Sequence, residues 1–380
     1  MKITNIRIRR IQDRLNRRVG NAIGLGFSDR HDVDIVEVFT DEGVTGCLAA
    51  DGMTDAAAYL LINKLKPVVL GEEPPNFERI WRRMFGEERG WVYLSYKGET
   101  LRAISVLDTA IWDLIGKQLG MPVYKLLGGY RDKVRCYASA GYYVSMDSHL
   151  ENLRYLEAEM GQLMDMGFKA VKMRAGRDIA QDCERARVVR EVIGPDVDLL
   201  IDFNFSQIYR GGVPRTIKFI KALEEYNPFW IEDPLSADDV SGMKQIADAV
   251  DTAIAAGERE QTLWAFKDLI VNRAVDIINP DGQNMSGGIT EWRRIAALAD
   301  AYRIPIAGHA AQVAHTHCVA SVANGLIVEY LRPDEPCRMA YAKNPQVPNA
   351  EGMLELPQTP GLGIELDEDY IQKHLVSVME

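Results

Sequence analysis

The sequence predicts an α/β fold, a (β/α)8-type barrel preceded by an α+β module, and three observations carry that prediction. Eight short apolar runs follow one another between about residues 134 and 331: VRCYASAG, FKAVKMRAG, VDLLIDFN, PFWIEDP, TAIAAGE, VDIINPD, IPIAGH and GLIVEYL. Amphipathic stretches of helical period separate them, among them 180–193, 214–226, 237–249, 262–273, 288–302 and 311–323. The first third of the chain has a different order, strands and then helices. A doubly wound sheet would need fewer strands and usually a Gly-rich phosphate loop after the first, which is not apparent here.

Taken in order, residues 2–12 and 33–40 alternate apolar and polar side chains as half-buried strands do. The turn Asp41-Glu42-Gly43 leads into a third strand, Val44–Ala49. Between the first two lies NAIGLGFSDRH, residues 21–31, a loop rich in Gly and turn formers. Helices are expected at 54–69, at 76–86 after Pro74-Pro75, and at 100–119, where Leu101, Ile104, Leu107, Ile111 and Leu114 recur at helical spacing. The expected organisation is an α+β unit over 1–130, the barrel over 131–335, and a segment of loops and a short helix over 336–380 that packs back on the first unit.

Composition narrows the function. The 380 residues are 47% apolar and 26% charged, a globular balance. A formal charge of −11 argues against a nucleic-acid partner, although a local cation can still draw an anionic substrate into one cleft. The five cysteines, Cys47, Cys136, Cys183, Cys318 and Cys337, have no paired spacing, so neither a zinc ribbon nor a disulfide framework is expected and a reducing cytoplasm fits. The opening MKITNIRIRRIQ lacks the apolar region of a signal peptide, and no run is long enough to span a membrane.

Polar residues stand at the ends of the apolar runs: Lys172 and Arg174, Asp202 and Asn204, Glu232 and Asp233, Glu258, Asp281, His309, then Glu329. Successive members lie roughly 20–30 residues apart, one β/α unit each. Any one of them alone reads best as a helix cap or a solvated loop residue. As a set they would ring one mouth of a barrel, where Asp202, Glu232 and Glu258 would repel one another without a cation between them. An oxygen-only ligand set points to Mg2+ and, after it, Mn2+. A purely structural ion is the plain alternative, but Lys172 and His309 flank the acids as proton carriers.

The ordered series VKMR, D-F-N, W-I-E-D-P, G-E, N-P-D, a strand-end His in G-H-A, and V-E-Y resembles the mandelate racemase subgroup of the enolase superfamily. AIWDLIGKQLGMPVYKLLGG at 110–129 and GGITEWRRIAAL at 287–298 extend the likeness over nearly the whole chain. The resemblance implies a capping domain over a modified (β/α)7β barrel, and Mg2+ held by Asp202, Glu232 and Glu258. It also implies abstraction of the proton α to a substrate carboxylate, giving a metal-stabilised enediolate. By the same likeness Asp281 and His309 form a dyad, Lys172 is the first Lys of a K-x-K pair, and Glu329 contacts the substrate carboxylate. Arg174 departs from the pattern in the place of the second Lys, and Asn204 replaces a second catalytic His found in several dehydratases.

Chemistry agrees with that likeness. An α-proton beside a carboxylate is very weakly acidic, so the charge left behind must be met by a cation, by Lys172 and by Glu329 if it is protonated. His309 can be a neutral base near pH 7, whereas an Arg cannot, which leaves Arg174 to bind a carboxylate or hydroxyl. With one competent base, dehydration is favoured over racemisation: syn loss of water from an aldonic or aldaric acid, giving a 2-keto-3-deoxy acid. An epimerase, racemase or lactone cycloisomerase is the alternative, and a non-catalytic metal-bound barrel is the second. Asn204, Tyr143, Arg30 and His31 are the expected substrate contacts, with Tyr142 beside them, and Asp233 reads as a support for the ligands. His315 and His317, two apart on a helix, cannot chelate together. The expected partner is a small carboxylate, with no nucleic acid and no membrane, and the chain is expected to be a homo-oligomer.

Overall fold

The alternating N-terminal residues pair as expected. In the computed structural model, which describes residues 1–24, 29–86, 97–209 and 211–380, β1 (Ile3–Arg14), β2 (Arg30–Thr40) and β3 (Thr45–Asp51) form an antiparallel sheet. Residues 25–28 of the loop read at 21–31 lie outside the described residues. The long helix Glu99–Leu119 packs on this sheet so closely that a Cβ on Gly46 would lie 2.5 Å from the Ala110 carbonyl oxygen, so only glycine fits there. The single helix expected at 54–69 is three pieces, Asp55–Leu60, a π-helical turn Leu61–Leu65, and Lys66–Val69. Pro67 accounts for the break, because it has no N–H to continue an α-helical ladder.

The eight apolar runs are the eight parallel strands of a closed barrel. They are β4 (Lys133–Ser139), β5 (Ala170–Arg174), β6 (Asp198–Asp202), β7 (Pro228–Glu232), β8 (Ile254–Ala256), β9 (Ile277–Ile278), β10 (Ile306–Gly308) and β11 (Gly325–Leu331). Each pairs with the next, and β11 returns to β4 from Val328↔Cys136 to Leu331↔Ser139. The six helices anticipated between them are present, and His149–Asp165 fills the interval after β4. The C-terminal residues hold two strands besides the short helix Glu368–His374. β12 (Met353–Glu355) runs antiparallel to β4, and β13 (Leu375–Met379) extends the N-terminal sheet beside β1.

One residue from every barrel strand meets at the axis: Tyr137, Ala170, Leu200, Trp230, Ala255, Ile277, Ala307 and Ile327 form one buried cluster. Large and small side chains interdigitate, with the Tyr137 and Trp230 rings edge to face at 5.5 Å. Side chains repeat on one face of a strand every two residues, so the next inward layer is two positions further along. That layer reads Ser139, Lys172, Asp202, Glu232, Gly257, Asn279, His309 and Glu329. A polar ring thus sits directly on an apolar plug.

Candidate active site

The hydrophobic layer fixes the height of the polar ring, and most of its members are fully buried. Lys172 is 0% exposed, with Nζ 2.9 Å from Glu232 Oε1, 2.9 Å from Glu329 Oε1 and 3.4 Å from Asp202 Oδ2. Burial pulls the Lys172 ammonium down, but the Glu232 and Glu329 carboxylates outweigh it and raise it above its ordinary value. Glu232 also accepts from Asn279 Nδ2 at 3.0 Å and from Trp230 Nε1 at 3.1 Å. Burial alone would raise the Glu329 carboxyl, yet Lys172, His309 and Arg174 hold it well below the usual range, which keeps it ionised in this arrangement.

Arg174 does not reach into open space. Its guanidinium bonds Asp202, Ser139 Oγ at 3.0 Å and Tyr142 Oη at 2.6 Å, and lies over the Tyr142 ring at 4.5 Å. Asn204 likewise turns to Asp202, donating its backbone N–H at 2.7 Å and its side-chain amide at 3.2 Å.

His309 stands across the mouth from that wall. Its Nε2 is 2.9 Å from Glu258 Oε2 and 3.8 Å from Glu329 Oε2, and its Nδ1 is 3.4 Å from Asp281 Oδ2. Burial would lower its pKa, but Glu258 and Glu329 raise it well above the ordinary value, and His309 in turn pulls Glu258 down to about 2 against burial. Sequence reasoning missed the brace behind this pair. His315 accepts from the Gly282 N–H at 2.9 Å through Nε2 and donates from Nδ1 to the Ala310 carbonyl at 2.9 Å, tying the turn after Asp281 to the turn after His309. His317 is engaged elsewhere, between the Tyr124 N–H and the Leu362 carbonyl, each at 3.1 Å. Nothing in a strand-end pattern could signal the role of His315, which lies within a helix.

A cavity of about 730 Å3 opens above the ring, a size suited to a small molecule. Glu258, Asp281 and His309 line it from the barrel, Arg30 and His31 from β2, and Tyr142 from the end of β4. The loop after β1 is drawn over the mouth by a bridge in which Gly20 and Tyr143 exchange backbone bonds of 2.8 and 2.9 Å. Tyr143, expected at the substrate, is not among the lining residues. Its hydroxyl donates to Asp182, a carboxylate that also collects the N–H groups of Gly176, Arg177 and Asp178. Asn204 borders a second cavity of about 400 Å3. Arg332 and Arg338, beyond the last barrel strand, line the main cavity without having been anticipated.

Among the described residues, the acidic side chains drawn within coordinating range are Asp202, Glu232 and Asp233, with ligand oxygens within 4.8 Å of one another. All three are fully buried. Glu258, the third expected ligand, is buried beside them but turned to His309. An oxygen-only set of this kind fits a hard divalent cation.

Residues 155–370 match the family described as enolase C-terminal domain-like, and residues 5–128 match the mandelate racemase / muconate lactonizing enzyme, N-terminal domain. The chain belongs to the enolase superfamily, in its mandelate racemase subgroup. Among the relatives of this enolase-superfamily chain, arabinonate dehydratase of Saccharolobus solfataricus is 29% identical over 364 residues, covering 93% of this chain and 94% of the relative. A 3,6-anhydro-alpha-L-galactonate cycloisomerase of Streptomyces coelicolor is 30% identical, covering 82% of each. A racemase from Streptomyces coelicolor, solved with bound magnesium, superposes with a TM-score of 0.86 at 28% identity, covering 98% of this chain and 100% of that one.

Proposed function

We propose that this enolase-superfamily chain is a Mg2+-dependent sugar-acid dehydratase, acting on an aldonate or aldarate and releasing a 2-keto-3-deoxy acid. The observation that carries the reading is an asymmetry of the mouth. Of the two expected proton carriers, His309 lines the cavity, whereas Lys172 is wholly buried beneath it, with its ammonium held by Glu232, Glu329 and Asp202. One base facing the substrate suits an elimination better than a racemisation, which needs a base on each face.

In this reading His309, in its neutral form, takes the proton α to the substrate carboxylate, and Asp281 behind Nδ1 orients the imidazole. The neutral form requires that Glu258, whose carboxylate raises the His309 pKa in this arrangement, turn to the cation site instead. The electron pair left on the α-carbon delocalises into the carboxylate as an enediolate, where the fixed charge of Lys172 meets it. A divalent cation on Asp202, Glu232 and Glu258 would supply further positive charge to the same oxygens. The C3–O bond then breaks with its electrons on oxygen, His309 returns its proton to the departing hydroxyl, and water leaves. The enol ketonises to the 2-keto acid. Arg30, His31 and Tyr142, on the outer wall, meet the hydroxyls of the chain.

The test is a screen of aldonates and aldarates with MgCl2 for 2-keto products. His309→Asn should lower turnover on any substrate found by about a thousandfold, and full turnover by that variant would overturn the assignment. The cycloisomerase relative keeps a second reading in view: solvent deuterium entering C2 without loss of water would favour proton transfer or ring opening over dehydration.

A further inference from the structure

We propose that Asp233 is an additional ligand of the cation site, giving a carboxylate oxygen to the ion shared by Asp202 and Glu232. This rests on the reading above that the mouth holds a hard divalent cation.

The backbone is the first argument. Neighbouring residues of a strand point to opposite faces, so the residue after Glu232 should face the outer helices. Instead Asp233 takes φ +44°, in the left-handed region that non-glycine residues rarely occupy. Its N–H is tied to the Ala255 carbonyl at 2.9 Å and its carbonyl to the Phe205 N–H at 3.0 Å. The alternation is broken, and the two adjacent carboxylates reach within 4.8 Å of each other and of Asp202. Such strain persists where the surroundings enforce it, commonly at functional sites.

Unmet bonding capacity is the second. Asp233 is 0% exposed, and neither of its carboxylate oxygens has a hydrogen-bond partner among the described residues. The donors nearby are all directed at its neighbours. Lys172, Asn279 and Trp230 serve Glu232, while Arg174 and Asn204 serve Asp202. Burial disfavours the ionised form of a carboxyl left in this condition unless a cation compensates it, and an ion between Asp202 and Glu232 is within its reach.

The experiment is calorimetric titration of the metal-free full-length protein with MgCl2, repeated with MnCl2 and read by the Mn2+ resonance. Wild type should bind one ion per chain, Asp202→Asn should lose it, and Asp233→Asn should bind about tenfold or more weakly. The melting temperature of metal-free Asp233→Asn should equal or exceed that of wild type, since the neutral amide removes a buried acid without partners among the described residues. Wild-type affinity in Asp233→Asn, alongside a loss in Asp202→Asn, would overturn the ligand role and leave the cation reading standing. Failure of wild type to bind either ion would overturn both. If Asp233→Asn is unfolded, Asp233→Ser takes its place under the same criteria.

Discussion

Two of the buried polar clusters among the described residues, one at the junction of cap and barrel and one at the barrel mouth, are completed differently. At the junction, helix Gly288–Ala301 begins without a capping side chain of its own. The cap helix supplies the acceptors: Ser105 Oγ takes the Gly287 N–H at 2.8 Å, and Asp108 takes the Thr290 N–H at 2.9 Å and its hydroxyl at 2.7 Å. Trp112 Nε1 adds a bond of 2.9 Å to the same hydroxyl. Gly288 makes the approach feasible, since a Cβ there would fall 2.3 Å from an Asp108 oxygen. At the mouth, by contrast, both Asp233 oxygens and the side-chain oxygens of Asn204 and Asn279 have no partner among the described residues. Completed polar groups hold a structure in one arrangement, whereas buried polar atoms without a protein partner leave bonding capacity open.

The comparison breaks most sharply at His309. His309→Asn should lower kcat by about a thousandfold, the span general-base loss commonly gives, while leaving the melting temperature within a few degrees. A variant that loses stability and activity together would mean that the mouth, too, is chiefly structural. Asp108→Ala should do the reverse. Stranding the Thr290 N–H and hydroxyl should cost about 2–3 kcal/mol, seen as an earlier denaturation midpoint, with activity per folded molecule kept.

Acidity acts on the junction in two opposite directions. His317, which joins the barrel helix Gln312–Ser321 to the Tyr124 and Leu362 backbones, is pushed down to about 4 from 6.5 by burial. Its folded form stays neutral where the unfolded chain already binds a proton. The stability it contributes is therefore complete above about pH 6.5 and is lost as the pH falls toward 4, about 3 kcal/mol at most. Denaturation curves at pH 7 and pH 5 should show the loss, and His317→Gln should flatten it. Asp108 has the opposite sign: burial pushes it up to about 7 from 3.8, so its contribution is greatest in acid and falls as the pH rises through that range. The smallest effect belongs to Tyr142→Phe. Removing one hydrogen bond to Arg174 should change KM a few-fold, about 1 kcal/mol, and leave kcat nearly alone.

Residue order alone made the barrel and most of the ring legible, because strand periodicity is local. An apolar residue at the axis places the residue two positions later in the next layer, so Ala170 predicts Lys172, Leu200 predicts Asp202, Trp230 predicts Glu232 and Ile327 predicts Glu329. Tertiary structure decided what that period does not govern. Tyr143 turned to Asp182 and Arg174 to Tyr142 because partners from other segments claim them. Asp233 joined the ring only through a left-handed turn, and His315, Arg332 and Arg338 arrived from a helix and from beyond the last strand. Which face a side chain takes is set by a repeat of two residues. Which partner it meets there is set by closure of the chain over hundreds of residues, and only the folded molecule records it.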